Sequence, residues 1–307
     1  FLVHRGIILE KAMESFARVV NIPKNKMGLL TGNKKSYDAD YLFATIQTMK
    51  NEFHSYRPDE FEYIVVDEAH HATSPSYQKV LDHFNPKFLL GMTATPERSD
   101  NGNVFDLFDN NLAVDIRLRQ ALEENLLVPF HYYGITDQTG VDLSDERLTP
   151  DQIAEKLNVT SRVDFIIERM NFYGHDGPKR KALGFCITKK HAEFMAAEFN
   201  KCGIPSTYLT GEDSEEERMR QIQLLESDTD KLNVIFTVDI FNEGIDIPSV
   251  NTVLMLRPTE SAIVFTQQLG RGLRKAEQKE FLTVLDFIGN YSKSFLIAIA
   301  LYGSRSV

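Results

Sequence analysis

The sequence predicts two doubly wound, parallel-sheet α/β domains in tandem. Strand and helix patterns alternate along the chain, and the strand candidates are continuous apolar runs such as Tyr63–Val66 and Phe88–Met92. Continuous apolar strands are typical of a parallel sheet that helices cover on both faces. The length of 307 residues is sufficient for two domains of ordinary size.

In the first half, strands are predicted at Phe1–His4 and Tyr41–Ala44 in addition to the two runs above. Helical spacing of apolar residues follows over Ile7–Val20, and shorter helices are predicted over 76–84 and 118–127. Pro129 breaks the last of these patterns. We therefore expect domain 1 to span residues 1–128 and domain 2 to span residues 129–307.

The second half repeats the same plan. Thr149-Pro150 predicts a helix start, and the spacing of Ser214 and Glu217 predicts a capping box. Because parallel strands end at one edge of a sheet, we expect the chemistry in the loops at their carboxyl ends. The predicted strands are 181–186, 207–209, 233–237, 252–256 and 282–286, and the predicted helices are 189–202, 215–226 and 261–269.

Composition limits the function classes. The net charge of −10 and pI of about 5.4 exclude a uniformly basic coat for nucleic acid, so polyanion binding would need a local groove. The longest apolar run, Phe295–Tyr302, is too short to cross a bilayer, and we expect no membrane association. Cys186 and Cys202 lack disulfide or zinc spacing, which indicates a reducing, cytoplasmic setting.

The most informative segment is the strand that ends in Asp67-Glu68-Ala69-His70. Phosphoryl transfer needs two adjacent carboxylates at such a place, one to hold Mg²⁺ and one to position the attacking water. The competing interpretation is an ordinary acidic turn after a strand, and this segment alone does not decide between them.

Two further segments contribute. Thr93 and Thr95 flank a small residue at another strand end, where their hydroxyls could bond the acidic loop. Arg271 and Arg274 are three residues apart, so on a helix they would share a face suited to a phosphate tail. Gly270 and Gly272 argue against a plain surface helix there.

Taken together, these segments resemble superfamily 2 helicases and translocases of the DEAH-box type. The resemblance is nearest to the motor subunits of type I and type III restriction systems. It implies two RecA-like domains, ATP and Mg²⁺ as cofactors, and nucleic acid as partner, DNA rather than RNA. It also implies nuclease or other domains in the same polypeptide or complex. Further matching motifs are Val3-His4-Arg5, 44–48, Phe185, 237–239 and 243–246.

The resemblance assigns a role to each matching residue. Asp67 would hold Mg²⁺, Glu68 would orient the hydrolytic water, and His70 would sense the nucleotide. Thr93 and Thr95 would couple the acidic loop to domain closure. Gln267, Arg271 and Arg274 would act at the γ-phosphate as catalytic residues. Gly244 and Asp246 would lie near the ribose, and the nucleic-acid backbone would meet Arg5, Thr45, Gln47 and Thr237.

One departure from the family is clear. The phosphate-binding loop G-x-x-x-x-G-K-[ST] is absent, and the look-alike Gly28–Lys34 has the wrong glycine spacing. We expect domain 1 to be truncated at its N-terminus, without the strand and helix of that loop and with an exposed sheet edge. The chain would then be a fragment of a longer ATPase, with little ATP hydrolysis of its own.

Other functions remain open from the residues. A non-catalytic nucleic-acid-binding or scaffold module would keep the two-domain shape without nucleotide turnover. A small-molecule α/β enzyme is disfavoured, because it has no use for the paired threonines and arginines and because a Gly-rich dinucleotide turn is absent. A metal site at His70-His71 is disfavoured because adjacent histidines on a turn are expected to point apart.

Overall fold

The computed structural model describes residues 1–4, 6–93, 104–143, 145, 147–238, 247–258 and 262–287. The chain divides into two compact units, Phe1–Asp115 and Ile116–Val307, and each is described by itself.

The predicted boundary after residue 128 lies further along the chain than this division. The helix Leu118–Glu123 groups with the second unit, and the segment that follows it bonds to that unit, since Val128 N–H donates to Leu273 C=O at 2.8 Å.

The described residues of unit 1 hold a five-stranded parallel sheet in the order β2-β3-β1-β4-β5. Its strands are β1 (Leu2–Val3), β2 (Met27–Leu30), β3 (Tyr41–Thr45), β4 (Tyr63–Asp67) and β5 (Phe88–Met92). Its helices are α1 (Gly6–Val20), α2 (Ile46–Glu52) and α3 (Pro75–Leu81).

Both faces of this sheet are covered, as the continuous apolar strands predict. Leu2 packs into one buried cluster with Leu42 and Val66, whereas the next residue, Val3, packs into another with Phe43. Because successive strand side chains point to opposite faces, these are the two sides of one sheet.

The look-alike Gly28–Lys34 begins inside β2. A Cβ added at Gly28 would lie 2.6 Å from Ala39 Cβ and 2.7 Å from Ser36 Cβ. This glycine therefore permits close packing of a neighbouring loop, which explains its presence without a phosphate ligand.

Strand β5 forms one edge of the sheet among the described residues of unit 1, so its apolar run is not buried on both faces as the pattern predicts. None of its five side chains is buried, and Phe88 is 51% exposed. A Cβ at Gly91 would lie 2.3 Å from the Phe108 ring, so the glycine lets that ring cover the middle of the strand.

The described residues of unit 2 hold a six-stranded parallel sheet in the order β6-β11-β10-β7-β9-β8. Its strands are β6 (Phe130–Gly134), β7 (Ala182–Phe185), β8 (Ser206–Leu209), β9 (Val234–Thr237), β10 (Thr252–Met255) and β11 (Leu282–Asp286). Its helices are α4 (Leu118–Glu123), α5 (Pro150–Leu157), α6 (Thr160–Tyr173), α7 (Lys189–Lys201), α8 (Glu215–Glu226) and α9 (Ala262–Gly270).

The central strands of unit 2 confirm the continuous apolar pattern. Every residue of β7, β9, β10 and β11 is buried. The sequence pattern does not predict strand β6, because Pro129 indicates a break after the preceding helix. Here the proline comes just before an edge strand, a position that proline tolerates, and its C=O accepts from Leu282 N–H at 3.0 Å.

Two predicted helix starts are present with different caps. Thr149 Oγ1 accepts from Gln152 N–H and the Gln152 side chain reaches back, which makes a complete capping box. Ser214 Oγ accepts from Glu217 N–H at 3.2 Å, but the carboxylate of Glu217 instead accepts from Arg220 and Gln221. The second box is therefore half formed.

A buried ion pair joins the segment after β6 to α6 in unit 2. Arg162 Nε lies 2.8 Å from Asp137 Oδ2, and the two side chains are 1% and 9% exposed. Burial alone would raise the pKa of Asp137, but bonds from Thr139 and Arg162 outweigh it, so that pKa lies below its ordinary value of 3.8. Ionisation of Asp137 therefore favours the folded state above pH 3.8, and this contribution is lost as pH falls through the lower folded pKa.

No helix in the described part of the chain is both long and apolar enough to cross a membrane.

Replacing Arg162 by methionine is expected to cost about 3–5 kcal/mol of unfolding free energy, because it leaves a buried carboxylate uncompensated. Urea unfolding at pH 7 measures this loss. The matched control is Arg147→Met, which removes an exposed partner of Asp145 and should leave the unfolding midpoint unchanged. Equal midpoints for both variants would show that the buried pair does not hold unit 2 together.

Candidate functional site

The candidate site of unit 1 begins where β4 ends. Asp67 is the last residue of the strand and lies opposite Met92 of β5. Glu68 then adopts a left-handed backbone, with φ 49° and ψ 49°, and its N–H donates to Asp67 Oδ1 at 2.9 Å. The left-handed turn thus holds two adjacent carboxylates at the carboxyl edge of the sheet.

Asp67 is half-buried, and its environment disfavours the charged form. Burial raises the pKa of Asp67, and the Glu68 N–H and His70 offset this only in part. An ionised carboxylate in such a place gains more from a cation than an exposed one does.

His70 joins the acidic turn to the end of β5. Its Nδ1 lies 3.0 Å from Thr93 Oγ1 and 3.3 Å from Glu68 Oε2, and the residue is 8% exposed. A carboxylate can only accept, so this geometry favours a proton on Nδ1 that faces both oxygens. The structure therefore brings together Asp67, Glu68, His70 and Thr93, as the sequence led us to expect.

The two adjacent histidines do not point apart, contrary to the expectation from sequence. The rings of His70 and His71 have their centroids 4.1 Å apart, and His71 in turn lies 5.2 Å from the ring of His4. The short 3₁₀ turn Ala69–His71 places both side chains on one side of the backbone. Within the described residues there is still no cluster of metal-ligating side chains.

A hollow of about 350 Å³ opens beside His4. It lies at the carboxyl edge of the unit 1 sheet, where β1 and β3 end. Its polar lining comes from His4, Gln47, Lys50, Asn51, Ser74 and Ser76.

Gln47 is exposed in this hollow, and its Nε2 lies 3.2 Å from His4 Nδ1. Thr45 is 8% exposed, and its hydroxyl donates to Thr48 Oγ1 at 3.0 Å. Among the predicted nucleic-acid contacts that the structure describes, Gln47 is therefore the one whose side chain is presented at a concave surface.

The arginine segment of unit 2 corrects one inference. Helix α9 ends at Gly270, so Arg271 and Arg274 lie beyond it and do not share a helix face. The physical reason is local packing. A Cβ at Gly272 would lie 2.6 Å from Leu282 Cδ1, so this stretch runs against β11.

Lys279 fixes the shape of the same segment. Its ammonium group is nearly buried and donates to the C=O groups of Gly272, Arg274 and Pro248 at 2.6, 3.0 and 2.7 Å. Sequence reasoning missed Lys279, since a lysine in a polar run resembles a solvated surface residue. Sequence reasoning also missed Lys50, and it did not predict the contact between His4 and His71, which come from elements far apart in sequence.

Other predicted residues fall in different settings. Thr237 is fully buried at the end of β9, so its side chain does not reach the surface in this structure. Gln267 is half-buried on α9. Arg5, Thr95, Gly244 and Asp246 lie outside the described residues.

The donor set suits one kind of cation. Mg²⁺ in nucleotide enzymes is typically held by one or two carboxylates together with phosphates and water, not by a cage of protein ligands. Asp67, a single half-buried carboxylate with a raised pKa beside Glu68, fits that mode. A three-ligand metal centre is absent from the described residues.

Comparison with known proteins gives matches in both units. The family model described as "Type III restriction enzyme, res subunit" matches residues 1–98. The model described as "Helicase conserved C-terminal domain" matches residues 161–276.

Full-length relatives and solved structures agree. The chain is 28% identical over 319 residues to "Putative ATP-dependent helicase IRC3" of Saccharomyces cerevisiae, covering 99% of this chain and 45% of that protein. A fragment structure titled as a "putative HsdR subunit of a type I restriction enzyme" from Vibrio vulnificus has a TM-score of 0.72 at 21% identity, covering 94% of this chain and 52% of that one.

Dbp5 of S. cerevisiae bound to RNA and ADP BeF3 has a TM-score of 0.66 at 16% identity, with coverage of 98% and 73%. These neighbours confirm RecA-like domains. The chain spans about half the length of the curated relatives it matches.

Replacing Asp67 by asparagine is expected to raise the thermal unfolding midpoint at pH 7. The raised pKa means that the folded protein holds the proton more tightly than the unfolded chain does, so the ionised side chain opposes folding at neutral pH. The opposition disappears below the ordinary pKa of 3.8, and the two midpoints should converge there. Asparagine keeps an oxygen for the Glu68 N–H.

Calorimetry of the two proteins at neutral and acid pH measures this difference. Asp82→Asn, at an exposed position on the same unit, is the control and should leave the midpoint unchanged. A lower midpoint for Asp67→Asn at pH 7 would contradict the proposed environment of the carboxylate.

Proposed function

We propose that the chain is the core of an ATP-driven nucleic-acid motor, because unit 1 matches the type III restriction enzyme model and unit 2 matches the helicase C-terminal model. The motor would be a helicase or translocase that acts on DNA. The observation that carries the proposal is the acidic turn, where Asp67, Glu68, His70 and Thr93 lie in mutual contact.

The geometry of the turn supports a division of roles. Asp67 would hold Mg²⁺, which, when bound with ATP, neutralises charge on the phosphates. Glu68, fixed by its left-handed backbone, would orient the attacking water and accept its proton. His70 would keep Glu68 in place, since its Nδ1 faces both that carboxylate and Thr93.

The resemblance also proposes phosphate-binding residues in unit 2. Arg271 and Arg274 are proposed to stabilise the phosphoryl group in the transition state, with Gln267 in the same network. Lys279 supports this role because it holds the backbone between the two arginines in one shape. Gly244 and Asp246 remain proposed nucleotide-binding residues on the resemblance alone.

The nucleic-acid backbone would lie along the carboxyl edge of unit 1. Gln47 and Lys50 present donors into the hollow, and none of its lining residues is acidic. Such a local patch is what a protein of net charge −10 needs in order to hold a polyanion. Arg5 and Thr45 are proposed as neighbouring contacts. DNA is preferred to RNA because the sequence motifs resemble those of restriction motors.

By itself this chain is proposed to hydrolyse ATP slowly, because its 307 residues contain no G-x-x-x-x-G-K-[ST] loop to bind the β- and γ-phosphates. A malachite-green assay with duplex DNA present measures the rate. Clear turnover would show that other residues take over this binding.

DNA binding by the chain is expected to weaken steeply with salt. Two to five phosphate contacts would give a slope of log affinity against log salt of about −2 to −5. Lys50→Ala should reduce that slope by about 1. Filter binding with single-stranded and duplex DNA, and with RNA in parallel, measures it.

The matched control is Lys24→Ala. Lys24 precedes β2 and so lies at the amino edge of the same sheet, away from the hollow. Lys24→Ala should leave the slope of log affinity against log salt unchanged. A slope near zero for the unmodified chain would contradict the proposed function.

A further inference from the structure

We propose that His4 and His71 are positioning residues that link the hollow beside Gln47 to Glu68. A nucleic-acid phosphate bound in the hollow would move the His4 ring, and the movement would pass through His71 and His70 to the acidic turn. The inference rests on the proposed function and adds to it the route by which bound nucleic acid adjusts the residue that orients water.

The route is a continuous chain of side-chain contacts within unit 1. Gln47 Nε2 lies 3.2 Å from His4 Nδ1, and the ring of His4 lies 5.2 Å from that of His71, with 32° between the planes. The ring of His71 lies 4.1 Å from that of His70. His70 Nδ1 lies 3.3 Å from Glu68 Oε2 and 3.0 Å from Thr93 Oγ1.

The pairing of two strands of the sheet fixes the backbone positions from which these side chains extend. Strand β1 pairs directly with β4 through Leu2 and Val66, so His4 and the acidic turn follow adjacent strands at one edge of the sheet. The strand residues there are buried and closely packed, with Val3 and Val66 both 0% exposed. Because their backbone positions are fixed, a displacement of one ring changes its contact with the next.

Phosphate binding in the hollow would start the movement at the His4 end of the route. A side-chain amide nitrogen can only donate, so His4 Nδ1 accepts from Gln47 in this structure. A phosphate oxygen entering between Lys50 and Gln47 is a charged acceptor and competes for the same amide. Once Gln47 donates to the phosphate, the His4 ring loses this hydrogen bond, and its position beside His71 changes.

The contact partners predict what each substitution does. His71 lies between the other two rings and does not line the hollow. Removing its ring should interrupt the route while leaving the hollow intact. Phenylalanine restores a ring of similar size without the nitrogens, so it should restore transmission if packing carries the effect.

The experiment uses the chain labelled with ¹³C at histidine Cε1 and titrated with a short single-stranded oligodeoxythymidylate. Fluorescence anisotropy measures affinity, and ¹H–¹³C spectra follow the ring signals, assigned from single His→Gln variants. In the unmodified chain the signals of His4 and His70 should both shift on binding. In His71→Ala the His4 signal should still shift, the His70 signal should stay in place, and the Kd should change less than about twofold. His71→Phe should recover the His70 shift.

Two results would overturn the inference while leaving the proposed function standing. One is oligonucleotide binding without a shift of His4, and the other is an undiminished His70 shift in His71→Ala. Failure of the unmodified chain to bind the oligonucleotide would instead contradict the proposed function, and the inference with it. Circular dichroism of each variant verifies that the fold is retained.

Discussion

The left-handed turn at Glu68 is the constraint on which the candidate site depends. A non-glycine residue in this conformation costs about 1–3 kcal/mol, and such strain persists where the surroundings over-determine it. Here the turn is held on both sides: Glu68 N–H donates to Asp67 Oδ1, and Glu68 C=O accepts from His71 N–H at 2.9 Å. With an extended backbone at Glu68, Asp67 and His70 would not lie beside its carboxylate.

In unit 2, too, the conformation of the backbone determines where charged side chains lie. The arginine segment takes its form from Gly272, which allows contact with Leu282, and from Lys279, which gathers three C=O groups. Gly272 and Lys279 have no proposed catalytic role, but they fix the backbone from which the side chains of Arg271 and Arg274 extend. Each unit places its charged groups just after a regular element ends, where the backbone is free to turn.

Much of this fold could be predicted from the sequence, because a parallel strand buried on both faces consists of consecutive apolar residues. The runs at β4, β5 and β11 were placed to within a residue or two. Strand β6 was missed because its residues are exposed or half-buried and do not form a continuous apolar run. In addition, a proline can precede an edge strand as well as follow a helix, so Pro129 did not distinguish the two. The spacing of Arg271 and Arg274 would suit a shared helix face, but spacing does not reveal the packing of Gly272 against β11, because that packing is a tertiary contact.

The acidic turn was predictable for a different reason, since its chemistry is encoded in four consecutive residues. The link through His4 and His71 was not, because the rings come from elements far apart in sequence and only strand order brings them together. Local motifs therefore indicate the candidate reacting groups, and the sheet topology determines which other side chains lie near them.

The most direct test of the central claim is ATP hydrolysis by the native gene product carrying Glu68→Gln. The account predicts that nucleotide binding persists while the rate falls by at least about 10²-fold, as for the loss of a general base. Glu62→Gln, an exposed change just before the same strand, should leave the rate unchanged. An unchanged rate in Glu68→Gln would contradict the assignment of the acidic turn as the hydrolytic centre.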